Sequence, residues 1–472
     1  MKKLFYIIPF LFLGVVSCGD LAEINEDPNK SPSANPAQVL TSAIGYLSWI
    51  VDGRFNEYSH LWGQYWTWGP GVSLGNQERF DPEPDDFNNV WSRCYADCLA
   101  DLQFLVNSDD PAFQGIGNIL QAYVYQALVD HFGDVPYSEA LRGEIADGAI
   151  LSPAYDDDGA IYDGLLAQID AGLNALAGAS NIGAEDLIYG GDVKKWAKFG
   201  NSLKLRVLMR QSEVKDVSGA VTSLMGSGDF IASGADMAQI AMAGSAGDEN
   251  PMYATREAGV GFFYIASNAS LNVLGDLADP RTTAIYDYNR DTLIVGIDQG
   301  SIDNEPFTAV TEEYSQGSAA MYGPANSVIL MSDWEVWFLR AEAGARFSGD
   351  GAGAFQNALD AHFGYLNVPG SDSYGSGLDF AGGSLDEQIN MIGVQKWISM
   401  NGLQEDEGWI EARRFDRPGN RIFTEGIWQT PLKTALPDGV FPSTWLYPES
   451  EQSLNGNAPT QRAITENVFW DN

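Results

Sequence analysis

The chain has 472 residues, with 26 Lys and Arg against 64 Asp and Glu, a net charge of −38. So few cations exclude a generic nucleic-acid binder and disfavour direct contact with an anionic membrane surface, because both need clustered Lys and Arg. A 45% share of apolar residues and a mean hydropathy of −0.16 fit a globular protein rather than a disordered one.

At the N-terminus, Lys2 and Lys3 precede an apolar run from Leu4 to Val16. That run is too short to span a bilayer, which takes about 20 residues. Ser17 and Cys18 follow, and Val15-Val16-Ser17-Cys18 resembles a bacterial lipobox, where processing leaves a lipid-bearing Cys at the new N-terminus. Residues 1–17 read as a lipoprotein signal peptide and Cys18 as the lipidation site. Residues 18–36, with Pro28, Pro32 and Pro36, read as a flexible tether. A single helical domain is expected over 37–472. Acyl chains on Cys18 are the only expected membrane contact.

Stripes of apolar residues at helical spacing then recur. The first holds Trp91, Tyr95, Cys98, Leu99, Leu102 and Val106; the second Ile116, Ile119, Leu120, Tyr123, Val124, Ala127 and Leu128. Ile161, Leu165, Ile169 and Leu173 form a third, and Trp196, Phe199, Leu203 and Val207 a fourth. Trp334, Trp337, Phe338, Ala341 and Ala345 mark a fifth, and Phe355, Leu359, Phe363 and Leu366 a sixth. Val394, Trp397 and Ile398 open the last, which continues past Trp409. Long loops rich in Gly, Asp, Ser and Pro separate them at 66–90, 134–157, 226–262, 296–327, 367–387 and 416–460. Thr292–Ile297 and Trp428–Leu432 are the strand-like pieces. The reading is a mostly α fold with minor β, and adjacent amphipathic helices suggest stacked helical hairpins. Cys94 and Cys98 share one helix face, but two sulfurs without a nearby His read as small buried thiols. His60, His131 and His362 lie far apart, so no His-based metal motif arises, and no metal or cofactor is expected.

Six segments, in order, resemble one family. Asn25–Ser31 (NEDPNKS) resembles the start of SusD/RagB-like outer-membrane lipoproteins, and His131–Leu141 (HFGDVPYSEAL) resembles a turn of their second SusD-like subfamily. Trp196–Arg206, Met331–Ala343, Val394–Arg414 and Leu446–Asn457 are similar to that subfamily's later helices and its tail. Two departures stand out: residues 399–408 are more acidic than usual for this helix, and Trp445 stands where Arg is frequent. The resemblance implies a SusD-like fold with tetratricopeptide-type helical hairpins as scaffold and a loop-rich ligand-binding part. It also implies an outer-membrane, surface-facing lipoprotein. Such a protein captures oligosaccharide, or peptide in some members, and delivers it to a SusC-like TonB-dependent transporter.

Within the expected scaffold, Asn201 and Ser202 are placed to bond backbone while Leu203 packs, and Arg413 and Arg414 to pair with acids of neighbouring helices. The loop Leu61–Asp81 (LWGQYWTWGPGVSLGNQERFD) carries Tyr65, Trp66 and Trp68 beside Gly and Pro. A helix core would not take Trp66 and Trp68 together, because i and i+2 face different sides. Exposed in a loop, they would stack on sugar rings, while Asn76, Gln77 and Arg79 pair with hydroxyls. Tyr253, Phe262, Phe263, Tyr264 and Tyr322, and Trp428 further on, are additional candidate ligand contacts. The acidic runs Asp81–Asp86 and Asp156–Asp158 read as turn and helix-start residues ahead of calcium ligands. No G-x-S-x-G, phosphate-binding loop or H-E-x-x-H motif is present. A non-enzymatic glycan-binding protein is therefore expected, with a peptide-binding lid of the same fold or a helical glycoside hydrolase as the alternatives.

Overall fold

A computed structural model describes residues 34–69, 76–143, 148–255, 264–301 and 313–471. The signal segment, Cys18, most of the tether, and Phe262 and Phe263 lie outside the described residues. Helix α1, Pro36–Trp49, starts where Asn35 accepts the Ala37 N–H at 3.0 Å, with proline in the first turn. It continues through a π-helical stretch, Ile50–Phe55, into α2, Asn56–Trp62.

Consecutive helices then pack side by side: α3 (Ala100–Val106) with α4 (Pro111–Phe132), and α5 (Asp158–Leu176) with α6 (Val193–Arg210). Further on, α7 (Asp333–Ala343) packs with α8 (Ala352–Tyr365), and α9 (Leu385–Met400) with α10 (Glu405–Phe415). The pairs stack on one another through α4 on α5, α6 on α7 and α7 on α9. This is the mostly helical hairpin scaffold expected from the stripes. The stop and start signals are local: Asp110, Asp157, Asp192, Ser332 and Ser384 cap α4, α5, α6, α7 and α9. Where α4 meets α5, a methyl on Gly115 would lie 2.6 Å from Leu176 and 2.9 Å from the Gly172 carbonyl, so only glycine allows this approach.

Charged side chains fill the space between α6, α7, α9 and α10. Arg210 binds Glu407 at 2.7 Å and also Glu411, and Lys396 reaches Glu411 at 2.9 Å. Arg414 meets Glu342 at 2.6 Å and Glu411 at 2.7 Å, while Arg206 meets Glu335 at 3.2 Å. All are buried. Arg413 donates to the Asp130 carbonyl at 2.8 Å and lies 3.6 Å from Asp471. The twin arginines are scaffold, as their sequence setting suggested. Asn201 likewise donates to the Asp229 carbonyl at 3.0 Å and Ser202 to the Lys198 carbonyl at 2.8 Å.

The last segment crosses back over these helices. Trp445 is fully buried among Phe55, Tyr58, Phe87 and Phe132, which suits an indole where an arginine is frequent. Trp470 donates its indole N–H to Asp130 at 2.8 Å and lies against Arg210 and Arg413.

Strands are short. They are β1 (Trp66–Trp68), β2 (Ala238–Ile240), β3 (Tyr264–Ala266) and β4 (Val328–Met331), paired antiparallel as β1 with β3 and β2 with β4. The two strand-like pieces read from the sequence are not strands. In Thr292–Ile297 only Ile297 makes a bridge, and the Val295 N–H is taken by the Ser315 hydroxyl at 3.0 Å. In Trp428–Leu432 the Gln64 side chain occupies the Gln429 backbone, accepting its N–H and donating to its carbonyl at 2.7 Å each. Alternation without a continuous partner edge yields extended loop.

Candidate functional site

The loop Leu61–Asp81 differs from the expectation of exposed rings. Tyr65 and Trp66 are fully buried, and Trp68 is 8% exposed. The reason is a conformation in which i and i+2 share a face: Trp66 and Trp68 sit on β1, with Trp66 opposite Ala266 and Trp68 opposite Tyr264. Trp68 packs on Tyr264 with centroids 4.5 Å apart, and Trp66 on Tyr322 at 4.9 Å and Tyr286 at 4.8 Å. Tyr65 stacks on Trp397 at 4.8 Å. Tyr264, Tyr322 and Trp428 are buried too, while Tyr253 is half-buried.

The structure nevertheless brings the candidates into one region. Asn76 is exposed and Gln77 and Arg79 are half-buried, on a turn held against β1 by Glu78. Glu78 accepts from the Thr67 hydroxyl and, at 3.3 Å, from the Trp68 N–H. The Trp62 indole N–H donates to the Gln77 carbonyl at 2.8 Å. The Arg79 backbone carbonyl accepts the Ala435 N–H at 2.7 Å, which draws in the loop after Trp428, and Gln64 clamps the same loop at Gln429. Trp428 continues the ring layer through Phe441, 5.5 Å away, and Phe80, 6.0 Å beyond. The region therefore has an aromatic floor and a polar rim.

Beneath the floor lies Glu405, a residue the motif search passed over. It accepts from the Trp66 indole, from the Gly402 N–H at 3.0 Å and from the Tyr322 hydroxyl at 3.3 Å. Burial pushes its carboxyl up to about 8, despite these donors. Its neighbours Asp406 and Glu407 also turn inward, to His131 at 2.8 Å and Arg210 at 2.7 Å. This accounts for the unusual acidity of residues 399–408. Gln64 and Glu78 were equally hidden, because their partners are backbone groups or lie far along the chain.

The acidic runs are explained by backbone bonding. Glu83 and Asp86 form a capping box at Pro84–Phe87. Asp134, Asp157 and Asp158 bring carboxylate oxygens within 4.8 Å of one another. Each also accepts a main-chain N–H: from Asp158 at 3.0 Å, Ala160 at 3.0 Å and Phe469 at 2.9 Å respectively. The first two are helix-start bonds, as the sequence indicated, and the third ties the last segment of the chain to the start of α5. Cys94 and Cys98 are buried thiols whose pKa burial raises. Among the described residues no helix is long and apolar enough to cross a membrane.

Comparison with known proteins follows this geometry. The family described as "Starch-binding associating with outer membrane", a SusD-like family, matches residues 28–448. Among solved structures, a SusD homolog from Bacteroides thetaiotaomicron VPI-5482 superposes with a TM-score of 0.76 at 18% identity, covering 93% of this chain and 99% of its own. A chitin-binding protein gives 0.76 at 23% identity, over 93% and 100%. A chitin-binding SusD homolog from Flavobacterium johnsoniae gives 0.76 at 19% identity, over 93% and 97%. The curated proteins contain no match. With the helical scaffold and the family match in agreement over most of its length, this chain belongs to the SusD-like family of outer-membrane-associated nutrient-binding proteins.

Proposed function

We propose that this protein is a cell-surface lipoprotein that binds oligosaccharide without cleaving it and passes it to a SusC-like TonB-dependent transporter. Family membership over 28–448 carries the reading. Two structural relatives named as chitin-binding support glycan as the ligand class. The binding surface is the rim over β1. Asn76 and Arg79 supply hydroxyl partners, and the edges of Trp68, Tyr264 and Trp428 supply apolar contact, while Tyr65, Trp66 and Tyr322 hold the floor rigid. A charged or amide group is needed for each sugar hydroxyl that loses water, and such groups stand at this rim.

The test is calorimetric titration of chitopentaose and maltopentaose, with chromatography of the mixture afterwards. Saturable binding with intact sugar is expected, and steady release of shorter products would overturn the non-catalytic reading. The double variant Asn76→Ala, Arg79→Ala should bind about tenfold more weakly, on the order of 1–2 kcal/mol, with an unchanged melting temperature. Full affinity in that variant would remove this rim from the site. Cys18→Ala should shift the protein from the membrane to the soluble fraction, since the acyl chains supply the anchor. Retention in membranes would contradict lipidation at Cys18.

A further inference from the structure

A cavity of about 150 Å³ opens beside the C-terminal end of α10. It shares Trp428 with the ring layer but faces the other way, toward the last segment of the chain. Trp428 and Phe441 form its apolar wall. Arg413, Arg421, Asp416 and Asp471 are among its other lining residues, so two cations and two acids share the wall. Asn467, an exposed residue, and the part-exposed Arg421 stand at the rim.

Asp416 is fully occupied: it accepts from the Phe423 N–H at 2.8 Å, the Thr424 N–H at 3.1 Å and the Thr424 hydroxyl at 2.5 Å. Arg421 donates to the Asp416 carbonyl, Arg413 donates to the Ser443 and Asp130 carbonyls, and Asp471 Oδ2 lies 3.6 Å from the Arg413 guanidinium. Among the described residues, the buried Arg413 Nε and Trp428 Nε1 reach no acceptor. A buried N–H left unpaired is costly, so two on residues of one cavity mark a place to receive acceptor atoms. The chemistry of the occupant follows from the walls. An anion would meet Asp416 and Asp471, and a cation would meet both arginines. A neutral ring bearing hydroxyls offers acceptors to Trp428 and Arg413, donors to Asp471, and a C–H face to the indole. The volume is on the scale of one six-membered ring rather than several.

We propose that this cavity is a subsite for a single terminal sugar residue of the captured glycan. The proposal rests on the glycan-binding reading above and adds recognition of a chain end to it. The full-length protein is titrated with chitopentaose and maltopentaose, and with N-acetylglucosamine and glucose as competitors. One monosaccharide is expected to compete with its own pentaose. Asn467→Trp, which places an indole over the rim from an exposed position, should abolish monosaccharide competition and weaken the pentaose about tenfold. Trp428→Phe keeps an aromatic wall and removes the indole N–H, and should weaken both about threefold. Equal pentaose affinity in the wild type and both variants, with no competition by monosaccharide, would overturn the subsite and leave glycan capture standing. Failure of the wild type to bind any pentaose would overturn the glycan reading and the subsite together.

Discussion

Glu411→Gln is expected to lose about 3–5 kcal/mol of folding stability, the range for breaking a buried ion pair from one side, read as a lower urea midpoint. Glu411 holds three cations at once: Arg414 at 2.7 Å, Lys396 at 2.9 Å, and Arg210. The amide keeps the volume and removes the charge, so the three cations share too few anions in a buried site. The Arg414 guanidinium, Lys396 and Arg210 beside Glu411 hold its carboxyl well below the ordinary range, although burial opposes them. An exposed pair sets the scale. Asp163 and Lys215 meet at the surface with both side chains about half exposed, and Asp163→Asn should cost less than about 1 kcal/mol. Comparable losses in the two variants would show that the buried network does not hold the hairpins together.

The second large effect is a pH dependence. Glu405 has an ordinary value of 4.5 and is pushed up to about 8, first by burial. The folded state therefore holds a proton that the unfolded chain gives up near pH 4.5. The stabilisation is full below that pH, falls as pH rises, and is gone above about 8. Asp52, pushed up to about 7 by burial, acts in the same direction. Between pH 5 and 8, Glu405 alone should cost the wild type on the order of 3–4 kcal/mol, given about 1.4 kcal/mol per unit for one group, and Asp52 adds to that loss. Glu405→Gln keeps a carbonyl oxygen for the Trp66, Gly402 and Tyr322 donors and cannot ionise. It should melt higher than wild type at pH 8 and show a flatter profile. Parallel profiles for the two proteins would exclude Glu405 as the titrating group.

How much was legible in advance differs between scaffold and site. Helices α4, α5, α6, α7 and α8 follow their apolar stripes because burial on one face is a local, periodic signal. Asp110 and Asp157 start helices by accepting from N–H groups a few residues away, so their roles also show in the chain. The rings of β1 do not work that way. The Trp66 and Trp68 spacing suits a strand as well as a loop, and the deciding partner, Tyr264, lies far along the chain. Thr292–Ile297 shows the reverse error, alternation that finds only one bridge at Ile297. Arg413 and Arg414 were recognisable as pairing groups, but which acids they meet depends on how α7 and α10 stack.

The position of Trp470 bears on how the molecule is made. Its indole donates to Asp130 and covers Arg413 in the interior, 340 residues along the chain from the carboxylate it meets. A nascent chain cannot close this centre until Trp470 has left the ribosome, so the helices made first wait for a partner synthesised much later. Removal of the segment that carries Trp470 should therefore loosen the helices around Asp130 and Arg413.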